Sequence, residues 1–357
     1  YLFASKIKYF TFAIMKLLRY ILFPIVPFYF LATWLRNKLY DLGIKTSSSF
    51  ELPVICVGNL SVGGTGKTPH SQFIAKILTK TNKVAILSKG YGRISKGFKY
   101  VNIDSKSEEV GDEPLQMKQN FPKEIVAVDD KRVNGILKIQ KDYPKIDAFV
   151  LDDAYQHRSI KIGFNILLCD YNNPIYRDWI IPVGLLRESR KGIKRADCII
   201  VTKCPNDLTK EKAEEIKKYL NFKGQVFFSE MSYDGVIPLN KMEKLDKSVL
   251  KNIILVTGIA NSKPIVNYLN DLKIKNTHLK FKDHYKYKKN DVNKILKTFE
   301  KDSRNQIILT TEKDAQKLKE FKELLNIPVY YLKVSVDFLW NKDKFEEKIM
   351  NYVKSHS

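Results

Sequence analysis

Cysteine is scarce in this chain. The 357 residues hold four, Cys56, Cys169, Cys198 and Cys204, without the paired spacing of a metal site, and three of them lie in apolar runs that read as buried strands. A disulfide scaffold is thereby excluded, and a reducing compartment is expected. Acidic residues are also few, 39 against 62 Lys and Arg, which leaves a net charge of +23. An acidic partner fits this balance, whether nucleic acid, an anionic membrane or a phosphorylated substrate. Many of the lysines are scattered among Asn and Ile, a pattern that background composition also produces, so charge alone does not choose among the three. There is no internal repeat and no low-complexity tract.

Long apolar runs are missing too. Tyr20 to Leu35 is uncharged for sixteen residues, bounded by Arg19 and Arg36. A bilayer crossing wants roughly twenty apolar residues, and Pro24 and Pro27 weaken a continuous helix. Flanking Lys16, Arg19, Arg36 and Lys38, with Trp34 and several tyrosines, instead favour a shallow interfacial anchor on an anionic leaflet. A run of this length also fits a buried core helix. No small-residue cleavage site follows before Arg36, so a cleaved signal peptide fits poorly. The chain opens on Tyr1, and Met15-Lys-Leu-Leu-Arg reads as a natural start, so residues 1–14 are expected not to be native.

What the chain does have is a phosphate cradle. Pro53 to Pro69 reads as a short buried strand, a glycine-rich turn and the start of a helix. Gly63, Gly64 and Gly66 let backbone N–H groups approach an anion at the positive end of that helix. Lys67 supplies a mobile positive charge, and Thr68 a hydroxyl suited to Mg²⁺. Nucleotide phosphates are therefore expected along Ser61, Val62, Gly63, Gly64, Thr65, Gly66, Lys67 and Thr68. Ser61 stands where the usual P-loop has its first glycine. Val62 stands where partitioning-type ATPases need a lysine, which disfavours that variant.

Short apolar strands alternate with helical patterns from this point on, so the fold class is α/β: a P-loop NTPase-like parallel sheet covered by helices. A second, smaller α/β series opens at Lys251-Asn-Ile-Ile-Leu-Val-Thr-Gly258, with Gln225–Lys247 read as the connection from its composition. The segments expected are 1–49, membrane-associated; 50–230, the P-loop domain; and 231–357, connector and smaller domain. Ligands in such sheets sit at the carboxyl ends of the strands.

Several polar groups follow apolar strands. Asp152 and Asp153 close Ala148-Phe-Val-Leu-Asp-Asp, where a P-loop enzyme keeps its Mg²⁺ partner, although a surface turn also uses Asp-Asp. Gly111-Asp-Glu-Pro114 carries Asp112 and Glu113, and taken alone reads as a helix cap. With His284 brought beside it from the second domain, Asp112 would form a pair able to accept the proton of an attacking hydroxyl, and domain closure would assemble it. Arg132 and Arg187 offer guanidinium groups suited to phosphate. Thr202-Lys-Cys-Pro205 lacks the aspartate of a base-reading N-K-x-D loop and is discounted.

Taken in order, Gly58-Asn-Leu-Ser-Val-Gly-Gly-Thr-Gly-Lys-Thr-Pro, Ser88-Lys-Gly-Tyr-Gly-Arg, Gly111-Asp-Glu-Pro, Leu151-Asp-Asp-Ala-Tyr-Gln-His-Arg, Pro182-Val-Gly-Leu-Leu-Arg-Glu, Asp283-His-Tyr and Thr310-Thr-Glu-Lys-Asp resemble the tetraacyldisaccharide 4′-kinase family, from about Met15 to the carboxyl terminus. Ala154 and Tyr155 replace the Gly-Phe usual in the fourth motif without removing a functional group. The resemblance implies transfer of the ATP γ-phosphate to the 4′-hydroxyl of an acylated glucosamine disaccharide 1-phosphate, at the cytoplasmic face of the inner membrane, with ATP and Mg²⁺ as cofactors and no nucleic acid. It also implies that Lys67 meets ATP phosphates, that Thr68, Glu113, Asp152 and Asp153 surround Mg²⁺, and that Asp112 with His284 accepts the proton. Arg132 and Arg187 would steady phosphate charge, and Tyr91 and His157 would line the site. The alternative is a membrane-tethered P-loop NTPase switch without a small acceptor.

Overall fold

The structure, a computed structural model, describes residues 21–239, 252–300 and 306–356. Met15, Lys16, Arg19 and Tyr20, the segment 1–14 and the connector residues 240–247 lie outside the described residues. The described elements begin with a 3₁₀ turn, Phe23–Ile25, that runs into helix α1, Val26–Asp41. Pro24 and Pro27 do not break this segment, because each sits at the first turn of its element, where a missing N–H costs no intrahelical bond. No residue of α1 is buried, which removes the core-helix reading. Among the described residues no helix is long and apolar enough to cross a membrane.

Strand β1 is Val54–Asn59, wholly buried, and the glycine turn leads from it into α2, Lys67–Leu78. There follow β2, Val84–Ser88; β3, Lys99–Tyr100; α3, Ser107–Val110; α4, Asp112–Asn120; β4, Ile125–Val128; α5, Arg132–Asp142; and β5, Ala148–Asp152. Next come β6, Phe164–Asp170; β7, Cys198–Thr202; α6, Lys210–Leu220; and β8, Gln225–Pro238. The last stretch holds β9, Asn252–Thr257; α7, Lys263–Asp271; β10, Lys275–Lys280; α8, Lys289–Glu300; β11, Ile307–Thr311; α9, Glu312–Leu318; β12, Val329–Phe338; and α10, Lys342–Lys354.

The chain divides into two compact units that are discontinuous in sequence: Tyr1–Lys67 with Asp153–Glu230 and Phe338–Ser357, and Thr68–Asp152 with Met231–Asp337. The sequence reading cut the chain into consecutive segments instead, and only the break between Glu230 and Met231 is common to both. In the first unit the strand order is β8-β7-β6-β1, all parallel. Helix α10 presents Phe345, Ile349 and Val353 at helical spacing and buries all three, with Phe345 edge-on to Phe227 of β8.

The second unit contains two four-stranded arrays. In β5-β2-β4-β3 the first three strands are parallel and β3 is an antiparallel edge. In β10-β9-β11-β12 all are parallel, and alternation along β9 fixes what lies on each face. Ile253 and Leu255 pack with Ile265 and Leu269 of α7, while Ile254 and Val256 pack with Val292, Ile295 and Phe299 of α8. Within each array the parallel strands point their carboxyl ends the same way, so the loops after them emerge along one edge.

Candidate active site

In the first unit the glycine turn leaves β1 with Gly63 at φ 104° and Gly66 at φ 86°, a left-handed backbone that side chains resist. A Cβ built on Gly63 or Gly64 would meet nothing within 4 Å, so the backbone there is open to a ligand. The turn is held from behind. Asn59 Nδ2 donates to Thr65 Oγ1 at 2.8 Å, and Thr202 Oγ1 donates to the Thr65 carbonyl at 2.9 Å. Lys203 Nζ donates to the Gly64 carbonyl and pairs with Asp170 at 2.6 Å. Thr202 and Lys203 were set aside at the sequence level for want of a base-reading aspartate; their structural part is to brace the turn.

The stretch Pro182–Glu188 runs beside the turn, with Val62 N–H donating to Leu185 O and Arg187 N–H to Leu60 O, both at 2.7 Å. This places Arg187 Nη1 3.1 Å from Asp153 Oδ1, while Lys67 Nζ lies 3.7 Å from Asp153 Oδ2. Two cations therefore share one carboxylate at the mouth of the turn. Asp153 itself is held at φ 51°, an unfavourable backbone for a residue with a side chain, which is the kind of strain that collects at functional positions. Helix α1 is tied to the same neighbourhood. Tyr29 Oη donates to the Arg187 carbonyl at 3.0 Å, Asn37 Nδ2 to Glu188 Oε2 at 2.7 Å, and Arg36 Nη2 to the Gln156 carbonyl at 2.7 Å.

In the second unit Thr68 and Ser71 stand three residues apart on α2, on one face of the helix. Ser71 Oγ donates to Asp152 Oδ1 at 2.8 Å, so this buried carboxylate lies against the first turns of the helix that carries the Thr68 hydroxyl. A hydroxyl plus a carboxylate suits Mg²⁺, which takes few protein ligands and keeps waters and phosphate oxygens for the rest. Among the described residues no three His, Cys, Asp or Glu side chains converge on a common metal position.

A second cluster forms in the same unit. Gly111, at φ 95°, ends α3 and starts α4; a Cβ there would come within 3.1 Å of the Tyr91 carbonyl, so this glycine lets the Ser88–Arg93 loop close on Asp112. His284 Nδ1 lies 3.6 Å from Asp112 Oδ2, Lys317 Nζ 3.1 Å from the same oxygen, and the Tyr91 ring 5.0 Å from the imidazole. Lys313 Nζ is 3.0 Å from His284 Nε2 and 3.1 Å from Glu113 Oε1. Burial works against the Asp112 carboxylate, but His284, Lys317 and Lys313 outweigh it and hold its pKa below the usual aspartate value. Asp112 is therefore an anion at neutral pH.

His284 and Asp112 were expected to meet from different domains. In the structure they belong to one compact unit and stand 3.6 Å apart. Glu113, expected near Mg²⁺, is paired with Lys313. Arg132 is buried at 3% exposure and its Nη1 donates to the Asp129 carbonyl at 3.0 Å, while His157 is half-buried and its N–H donates to the Ala154 carbonyl. Lys313 and Lys317 had no assigned part in the sequence reading. The signal for Lys313 was Thr310-Thr-Glu-Lys-Asp, whose Thr311 Oγ1 accepts from Asp314 N–H at 3.0 Å and so starts α9, the helix that also carries Lys317.

The family model for LpxK, tetraacyldisaccharide-1-P 4′-kinase, matches residues 18–354. A Flavobacterium johnsoniae protein named tetraacyldisaccharide 4′-kinase is 43% identical over 347 residues, covering 96% of this chain and 99% of its own. One from Phocaeicola vulgatus with the same name is 39% identical over 363 residues, covering 94% and 95%. The crystal structure of "apo" form LpxK from Aquifex aeolicus in complex with ATP superposes with a TM-score of 0.75 at 29% identity, over 94% of this chain and 99% of that one. Likeness of that extent, in sequence and in fold together, has one meaning: the chain belongs to the tetraacyldisaccharide-1-P 4′-kinase family.

Proposed function

We infer that the chain is an ATP-dependent kinase that transfers the γ-phosphate to the 4′-hydroxyl of tetraacyldisaccharide 1-phosphate, giving lipid IVA in lipid A biosynthesis. The observation that carries this reading is the combination of an open glycine turn, with Lys67 and Arg187 gathered on Asp153, and an ionised Asp112 paired to His284. Phosphoryl transfer needs little covalent help. It needs alignment, neutralisation of phosphate charge and an acceptor for the hydroxyl proton. Lys67 and Arg187 neutralise, exchanging Asp153 for phosphate oxygens. Asp112, oriented by His284, takes the proton.

Thr68 and Asp152 are the residues we assign to Mg²⁺, with Asp153 nearby in sequence as a further carboxylate. Bound there, the ion would offset charge on the nucleotide phosphates. The lipid substrate gives α1 its purpose. Phe28 is 74% exposed and Leu31 55%, with Trp34, Leu35 and Ile25 also on the surface, and Arg36 and Lys38 follow. Apolar side chains beside cations suit shallow burial in an anionic leaflet, and this supports our assignment of the enzyme to the cytoplasmic face of the inner membrane.

The test is incubation of the purified chain with labelled ATP, Mg²⁺ and tetraacyldisaccharide 1-phosphate, followed by identification of the phosphorylated position. Label at the 4′-oxygen, lost when Mg²⁺ is chelated, is the expected result. ATP hydrolysis indifferent to the disaccharide would favour an NTPase switch and overturn the kinase reading.

A further inference from the structure

Helix α9 sets two lysines against the Asp112–His284 pair, one on each member. Lys313 and Lys317 are four residues apart and so share a helix face. Lys317 Nζ reaches Asp112 Oδ2 at 3.1 Å, and Lys313 Nζ reaches His284 Nε2 at 3.0 Å. A lysine ammonium has three donors and no acceptor, so the imidazole nitrogen facing it must accept. The ring is then neutral, and its one N–H is on the other nitrogen, which faces Asp112 at 3.6 Å.

We propose that Lys313 is a positioning residue for phosphoryl transfer: it fixes His284 as the neutral tautomer whose N–H faces Asp112. The proposal rests on the reading of Asp112 and His284 as the proton-accepting pair. Lys313 is itself held, since Glu113 Oε1 accepts from it at 3.1 Å, and α4, which carries Glu113, packs against α9. The backbone of His284 is fixed as well. Its N–H donates to the Gly258 carbonyl at 3.1 Å and to Asp283 Oδ1 at 3.0 Å, at φ 53°. Such strain in a non-glycine residue needs surroundings that over-determine it. Other charged groups nearby are Asp283, Asp314, whose Oδ1 lies 3.7 Å from Lys317 Nζ, and Lys286 with Glu108, 3.1 Å apart. Lys313 is thus the cation that decides which nitrogen carries the proton, while Lys317 keeps the Asp112 carboxylate turned toward the ring.

The full-length enzyme labelled with ¹⁵N-histidine tests this, with the His284 signals assigned by their loss in His284→Gln. The wild type at neutral pH should show one pyrrole-type and one pyridine-type ¹⁵N resonance for His284. Lys313→Met should move both toward tautomer-averaged or imidazolium positions. It should also lower kcat about tenfold with the KM for ATP unchanged, a part of the roughly 10²–10⁴ that general-base catalysis supplies. Lys313→Arg, which keeps donor and charge, should restore both readouts in part. If Lys313→Met folds poorly, Lys313→Gln, whose amide accepts as readily as it donates, should likewise move the resonances toward tautomer averaging, and unmoved resonances there overturn the proposal. An imidazolium or averaged signal in the wild type overturns the proposal, as do unmoved resonances in Lys313→Met whatever happens to turnover. Unimpaired turnover in His284→Gln would instead sink the proton-accepting pair, while the ¹⁵N spectra still report the hold of the lysine on the ring.

Discussion

Lys67 lies 3.7 Å from Asp153 and Arg187 3.1 Å from it, so one carboxylate holds both of the cations assigned to phosphate. Lys67→Ala should impair the use of ATP in the phosphate-transfer assay; unchanged transfer would contradict the cradle. Asp112→Ala and His284→Ala should each lower turnover by roughly 10²–10⁴, the range of general-base catalysis, read as kcat at saturating ATP. Near-normal turnover in both would remove the pair from the mechanism. Glu312 offers a test by pH. Burial raises its pKa, with the Asn120 side chain, 2.6 Å away, opposing in part. A raised carboxyl pKa means that the neutral form is the one the fold prefers, so its contribution is full below the unfolded-state value and is lost as pH rises through the folded one. Glu312→Gln, neutral at every pH, should therefore raise Tm relative to wild type at pH 8 and lose that advantage near pH 5.

At the scale of elements, parallel strands and their helices were legible because each signal is local. Runs such as Val54–Asn59 and Cys198–Thr202 are buried on both faces, so they read as unbroken apolar stretches, and the turn between β1 and α2 declares itself by its glycines. The grouping into units was not legible, since it depends on which surfaces meet, and the second unit joins stretches about eighty residues apart. For the same reason the Asp112–His284 pair was readable as a pair but not as an arrangement inside one unit. Lys313 and Lys317 escaped notice because helical spacing shows only that two lysines share a face, not what that face meets. What orients them is the start of α9. Thr311→Ala removes its cap and should cost about 0.5–2 kcal/mol in denaturant unfolding, the usual price of an N-cap. No loss of stability would mean that packing alone sets the helix start.

For the whole molecule the amino-terminal helix is the unusual part. Its apolar residues were plain in the sequence, but their side was not, since a sixteen-residue uncharged run serves a core as well as a surface. The exposure of Phe28, Leu31 and Leu35 decides between them. Replacing these three by Ser should weaken sedimentation with anionic phospholipid vesicles while sparing ATP binding; unchanged sedimentation would argue against a membrane role. The bonds from Tyr29, Arg36 and Asn37 to the backbone of Arg187 and Gln156 and the side chain of Glu188 have a practical corollary. A surfactant that wraps this greasy arm should then also disturb Arg187, to which we assign a phosphate. The choice of micelle during purification is then a kinetic variable, and rates measured in two detergents will differ even at equal lipid supply.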